Sequence, residues 1–511
     1  MRNYPSLVRP FEAAHPRPIP RRGRLRDGVL CGLVVGVLAW SSGCSHDAQA
    51  PADPTVQGPI TEPGFPFVAG TRGFDLADVG YQQAEYFISG TAPSYVNVGE
   101  LGPDGRWEIE QAESAEYATR ILVYRPIDAD AFSGTVLVEW LNVSGGLDAA
   151  PDWSAMHTEI IREGHVWVGV SAQIVGIEGS EGGFGLNLKA VSPARYAPLS
   201  HPGDSFSYEM YAQAAQAVRR PVGIDPLEGL PAKRVIAIGE SQSAARLVTY
   251  VNALAKRYAV FDGYLIHSRG GGSPPLSQSP QTAVPTPEIV RVRDDLNDPV
   301  LMFQTETDLF ILDSIPSRQV DSKMFRLWEV AGTSHNDVYA LVTSNADVGD
   351  DPSVADVIEV TEPVPGFIAC DTPINSGPQH WVLKAGLHGL VQWIDTGEPL
   401  PEADRLALTA DEGAFELDDL GNAVGGVRTS YVDVPVAVLS GLGQTGQSFC
   451  RLFGTTELFD EAMLAALYPS HQAYVDAVQA STDGTVAAGF MLPVDAELIL
   501  ASAQASTIGA P

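Results

Sequence analysis

Basic residues are scarce: the 511 residues carry 31 Lys and Arg against 63 Asp and Glu, a formal net charge of −32. The shortage is sharper in the body of the chain, because the first 43 residues hold seven Arg with one Asp and one Glu, leaving 24 basic and 61 acidic groups beyond them. A surface of that sign repels phosphate backbones and anionic headgroups, so nucleic acid is excluded as an expected partner and polyanionic substrates are disfavoured. Cysteine is sparse as well, with four in all. Neither C-x-x-C nor H-E-x-x-H occurs, so no metal is expected. The apolar run "VLCGLVVGVLAW" has twelve residues, short of the roughly 20 that cross a bilayer as a helix.

What is present begins with a targeting pattern. The Arg-rich "RPIPRRGRLRDG" precedes that apolar run, so residues 1–43 are expected to be an export signal rather than part of a fold. Arg21 and Arg22 also offer a twin-arginine reading, although Arg24 occupies a position usually filled by a hydrophobe. The run closes on "SSGCS", which looks like a bacterial lipobox with Cys44 as the lipid-bearing residue; Ser41 departs from the usual aliphatic residue. The alternative is ordinary cleavage near Ala48–Ala50. The expected location is the periplasm or cell surface, with membrane contact only through lipid at Cys44. Residues 44–68, rich in Pro and small residues, read as a tether. Residues 69–511 read as one catalytic domain with a C-terminal extension from about 400. Cys31 falls in the signal and Cys44 at the lipid position, which leaves Cys370 and Cys450 in an oxidising compartment, where a single disulfide is the economical expectation.

Beyond the tether, short apolar runs alternate with helical periods. "RILVYRP", "TVLVEWLNV", "HVWVGVSAQ", "RVIAIGE", "FDGYLIHSRG", "PVLMFQTETD" and "RLWEVAGTSH" suit buried parallel strands. "DWSAMHTEIIREG", "FSYEMYAQAAQAVRR" and "QSAARLVTYVNALAKRY" carry helical spacing between them. The alternation predicts an α/β fold, a doubly wound and mostly parallel sheet. No G-x-G-x-x-G dinucleotide fingerprint is read after a strand, so no cofactor is expected.

In such a sheet, reactive side chains belong at the carboxyl ends of strands. Ser241 is at one of them, in Gly239-Glu240-Ser241-Gln242-Ser243, which matches the nucleophile elbow G-x-S-x-G except at its last position. A helix N-cap serine is the plainer alternative. The apolar strand before it and amphipathic helix after it favour a nucleophile. A hydroxyl needs a base, and the base needs an orienting carboxylate. His335 follows the third strand after Ser241 in a Gly/Thr/Ser loop and is the expected base, ahead of His267 and His380. Asp308 and Glu306 both follow the second strand; Asp308 is the preferred acid and Glu306 stays open. Donors for an oxyanion are expected from the backbone N–H of Gln242 and from Asn142 or Val143 in "NVSGG".

Several long stretches, among them "VEWLNVSGGLDAAPDW", "RYAPLSHPGDSFSYEMYAQA", "GESQSA", "WEVAGTSHND" and "INSGPQHWVLKAGLHGLVQW", resemble in order the exported bacterial proteins of the alpha/beta hydrolase domain family. The resemblance runs from about Gly70 to the C-terminus. It implies an α/β-hydrolase fold, a serine hydrolase with Ser241, a downstream acid and His335 in the expected roles, and a C-terminal hundred residues belonging to the same unit; Ser243 in the elbow is the family's own pattern. The expected activity is hydrolysis of a carboxylic ester, with a catalytically silent surface lipoprotein that binds a ligand as the rival. The Gly-rich segment from Ser171 to Asp204 reads as a lid-like insertion whose apolar residues would wall the pocket, so a medium-sized, uncharged ester is expected.

Overall fold

The computed structural model describes residues 49–71, 73–180, 185–446 and 449–510. The segment read as an export signal and Cys44 lie outside them. Nine strands form one sheet: β1 Thr55–Gln57, β2 Tyr81–Asn97, β3 Ile109–Pro126, β4 Thr135–Trp140, β5 Val166–Val170, β6 Arg234–Glu240, β7 Gly263–His267, β8 Val300–Thr305 and β9 Phe325–Val330. Their spatial order is β1-β2-β3-β5-β4-β6-β7-β8-β9. From β5 to β9 every pairing is parallel. β1, β2, β3 and β5 pair antiparallel and extend the sheet at one end.

β4, β5, β7, β8 and β9 are buried along their whole length. This explains their unbroken apolar sequences: side chains alternate between two covered faces, and both must be apolar. Val136, Val138 and Trp140 enter one core together with Val235 and Ala237. Leu137, Ile236 and Ile238 enter the other. Helices Ser207–Arg219 and Gln242–Ala253 cover the first face through residues such as Tyr211 and Leu247. Helices Pro151–Arg162 and Gln379–Thr396 cover the second through Trp153, Met156, Leu383 and Leu387. No helix of the described residues is long and apolar enough to cross a membrane.

Two expectations are corrected here. The stretch read as a tether supplies β1, in which Val56 is buried and Thr55, Val56 and Gln57 pair with Ser89, Ile88 and Phe87. A Pro-rich sequence suits an edge, where half of the ladder donors are not needed. The segment read as a lid packs on the antiparallel end instead. Ile177, Leu188, Tyr196 and Leu199 cluster with Ile60 and Phe87. Arg195 pairs with the buried Glu85 at 2.5 Å, and Tyr196 Oη donates to the same carboxylate at 2.9 Å. A buried carboxylate demands such partners, which fixes this segment on the antiparallel end of the sheet.

Candidate active site

β6 ends at Glu240 and helix Gln242–Ala253 begins two residues later, so the chain reverses at Ser241 alone. Ser241 takes φ 61° and ψ −119°, a backbone state that a non-glycine residue holds only when its surroundings enforce it. Its N–H donates to the His267 carbonyl at 2.8 Å, which ties the turn to β7. The strand and helix approach closely here: a Cβ on Gly239 would lie 3.2 Å from both Leu247 Cδ1 and Ser243 Cβ. The small residue at 243 is thereby explained by packing.

His335 follows β9 in a loop pinned by several bonds. Gly332 N–H donates to Glu306 Oε1 at 2.6 Å, Thr333 Oγ1 to the Val330 carbonyl at 2.7 Å, and Asn375 Nδ2 to the Gly332 carbonyl at 3.2 Å. His335 Nε2 lies 2.8 Å from Ser241 Oγ, and its Nδ1 lies 2.6 Å from Asp308 Oδ1. Asp308 sits in the first turn of helix Glu306–Phe310, and its Oδ2 accepts the Thr305 N–H at 2.7 Å. That reach-back, the acidic half of a capping box, fixes the rotamer that presents Oδ1 to the imidazole. With Nδ1 turned to Asp308, Nε2 faces the Ser241 hydroxyl.

Glu306, the other acid considered, turns away from His335. It accepts Gly332 N–H and, at 2.8 Å, Gly441 N–H. Burial pushes its carboxyl up to about 7, against the pull of those two donors. Of the rival histidines, His267 is buried between Asp152, 2.8 Å from Nδ1, and Gln379, 3.2 Å from Nε2. Burial lowers its pKa to about 4. His380 stacks on Tyr339 at 3.5 Å between ring centroids, and burial drives its pKa well down.

The oxyanion loop also departs from expectation. The Asn142 N–H is bonded to the Ala149 carbonyl at 2.9 Å, so it has no free donor for an anion. Its side chain works elsewhere: Nδ2 donates at 3.2 Å to both the backbone carbonyl and Oε2 of Glu240. Val143, the next residue, is buried, and its neighbours Asn142 and Ser144 line the cavity.

Glu240 is the residue that motif reading passed over. Its Oε1 lies 3.0 Å from His335 Nε2, on the side opposite Asp308. That atom is buried and receives no hydrogen bond. Burial opposes charge on His335, but the Glu240 and Asp308 carboxylates outweigh it and push the imidazole up to about 10. The only sequence signal was an acidic residue beside the nucleophile, which carries no periodicity.

Ser241 and His335 open into a cavity of about 270 Å³. Leu147, Leu341, Ile368, Phe449, Leu452 and Phe453 give it apolar walls, and no Lys or Arg lines it among the described residues. None of the described residues of the Ser171 to Asp204 segment takes part. Cys370 and Cys450 form a disulfide across a separation of 80 residues, and it clusters with Phe453 next to this wall.

Two other patterns have the spacing of ligand sites, and in each a group the ligand would need is already engaged. Gly441-Leu442-Gly443-Gln444-Thr445-Gly446 spells G-x-G-x-x-G after a short strand, Ala437–Ser440, that the sequence reading did not include. Its first glycine is already bonded through N–H to Glu306 and through its carbonyl to Thr307 Oγ1. The strand belongs to a two-stranded antiparallel sheet with Thr455–Leu458, not to a βαβ unit. Glu159, Glu163 and His388 bring ligating atoms within 4.8 Å, but Glu159 is already paired with Arg162 and His388.

The sequence matches the profile of the alpha/beta hydrolase domain family over residues 49–501. Among solved structures, the chain is similar to the glucuronoyl esterase from Solibacter usitatus, at 11% identity over 49% of this chain and 76% of that one, TM-score 0.27. It is similar to an alpha/beta serine hydrolase without a lid from Xanthomonas campestris, at 12% identity over 47% and 86%, TM-score 0.25. A fungal esterase from Rhizomucor miehei aligns at 14% identity over 47% and 75%, TM-score 0.24. No curated protein matches the sequence.

Proposed function

The chain belongs to the alpha/beta hydrolase domain family, and from that membership we propose that it is a serine hydrolase of uncharged carboxylic esters. The observation that carries the reading is the continuous path Asp308 Oδ1, His335, Ser241 Oγ, with spans of 2.6 and 2.8 Å, opening on an apolar cavity. In this reading Ser241 Oγ attacks the acyl carbon as His335 Nε2 takes its proton, and Asp308 holds the imidazole in the tautomer that can accept it. The carbonyl oxygen gains charge and is met by the Gln242 N–H, unpaired within its helix because it begins the first turn, and by the Val143 N–H. His335 returns the proton to the leaving alcohol, and water repeats the sequence to free the acid. Residues 1–43 would direct export, and Cys44 would anchor the enzyme by lipid in the periplasm or at the cell surface.

The test is labelling of the mature protein with a fluorophosphonate probe, read by intact mass. One adduct is expected on the wild type and none on Ser241→Ala or His335→Ala. A folded wild type without an adduct overturns the reading in favour of a binding scaffold. An ester screen then addresses charge: an anionic ester turned over faster than its neutral analogue would contradict the apolar, cation-free walls.

A further inference from the structure

Glu240 poses a question that the Ser241, His335 and Asp308 path does not answer. A buried carboxylate normally recruits a cation or several donors. Here Oε2 has Asn142 Nδ2 at 3.2 Å, and Oε1 has no hydrogen bond, yet it stops 3.0 Å from the imidazole nitrogen that faces the nucleophile. Among the described residues, the titratable groups in its neighbourhood offer no other countercharge. Asp152, from helix Pro151–Arg162, is driven toward its neutral form by burial and by Glu240 itself. His267, on β7, is kept neutral by burial. Glu139, on β4, is likewise raised by burial and by Asp152. Asp337, two residues beyond His335, is pushed up to about 7 by burial. Asp308 faces the opposite edge of the ring.

We infer that Glu240 is a positioning residue for the reaction proposed above, acting through His335: held by Asn142, its carboxylate stabilises the imidazolium that forms when Ser241 gives up its proton. As the bond from Oγ to carbon forms and the carbonyl π pair moves onto oxygen, the serine proton passes to Nε2. The positive charge so created lies between Asp308 at Nδ1 and Glu240 beside Nε2. When the tetrahedral species collapses, the bond to the leaving oxygen breaks and Nε2 returns the proton to that oxygen. Glu240 changes neither its bonding nor its proton count.

This arrangement has a cost at rest. A base flanked by two carboxylates stays protonated to higher pH, so reaction at Ser241 is expected to rise on an alkaline limb. Because an opposite charge this close moves a pKa by about 1–3 units, Glu240→Gln should shift that limb down by about the same amount. The rate at the alkaline plateau should fall, since the imidazolium loses a partner in the transition state.

Two measurements separate this inference from the reading on which it rests. The rate of fluorophosphonate labelling at Ser241 is followed from pH 6 to 11.5 for wild type, Glu240→Gln and Glu240→Asp, with unfolding curves at each end of the range to verify the fold. In parallel, the imidazole nitrogens of His335 are titrated by NMR, assigned against His335→Gln. A lower midpoint in Glu240→Gln by either method supports the inference, and Glu240→Asp, whose shorter side chain draws the charge back, should fall between. If Glu240→Gln does not fold, the aspartate variant decides alone. Wild-type midpoints in a folded variant overturn it. Absence of labelling on the wild type overturns the hydrolase reading, while the NMR midpoint still decides whether Glu240 governs the charge of His335.

Discussion

Asp308 and Glu306 lie on the same short helix, and the difference in what they touch decides what each can do. Asp308 accepts from the chain behind it and presents its other oxygen to His335. Glu306 accepts two backbone donors from loops, one of them the loop that carries His335. Asp308→Asn should leave the fold intact and slow reaction at Ser241 by roughly 10³–10⁴-fold, because an amide favours the wrong imidazole tautomer. Glu306→Gln should do the reverse. One of two buried N–H groups would then face an amide NH₂, at a cost of about 1–3 kcal/mol of stability, with labelling per folded molecule little changed. Urea denaturation beside labelling rates distinguishes the two; a larger kinetic loss in Glu306→Gln than in Asp308→Asn would exchange their roles. The sequence favoured Asp308 by its position after the strand and left Glu306 open; the capping reach-back is what separates them.

At the scale of elements, legibility followed burial. The strands from β4 to β9 were readable because a strand covered on both faces must be apolar throughout. Of the long hairpin of β2 and β3, only "RILVYRP" was legible, and it pairs antiparallel rather than parallel; the outer half, with "IEQAESAE" largely solvent-facing, has too little apolar content to announce a strand. β1 was hidden by Pro-rich composition, and the segment around Arg195 by the absence of any sequence trace of Glu85, its distant partner. The Cys370 to Cys450 disulfide was expected from compartment and arithmetic, but its neighbourhood was not. It joins the segment bearing Ile368 to the segment bearing Phe449 and Phe453, three residues of the pocket wall. Replacing both cysteines with alanine should therefore cost about 2–4 kcal/mol, the usual effect of opening a long loop. It should also raise KM for a neutral ester more than it lowers kcat. Equal KM values in a destabilised variant would show that the bridge holds the fold without shaping the pocket.

The last hundred residues bear on the whole molecule, because the apolar cluster their helices form also takes in residues from the body of the fold. Tyr474, Val475, Val478 and Ile499 share it with Trp381 of helix Gln379–Thr396 and with Ala355, and Phe490 meets Trp328 of β9 edge to face. The tie is also electrostatic. Asp495, on helix Pro493–Ala505, lies 3.1 Å from Lys384 Nζ on helix Gln379–Thr396 and 3.5 Å from Arg162 on helix Pro151–Arg162. Lys384 is fully buried, sits 4.1 Å over the Trp381 ring and has Thr158 Oγ1 at 3.3 Å, but Asp495 is its only carboxylate partner among the described residues. Removing one member of a buried pair strands the other, at about 3–5 kcal/mol, whereas replacing both with apolar residues of similar volume can be neutral. Asp495→Ala should thus lower stability by that amount, and the double change Asp495→Leu with Lys384→Met should recover most of it. Labelling at Ser241 at low temperature should persist in every variant that remains folded, since none of these groups reaches the cavity. If Asp495→Ala unfolds in two separate transitions, the C-terminal helices are an independent module docked on the sheet; a single transition at lower denaturant makes them part of one cooperative unit with it.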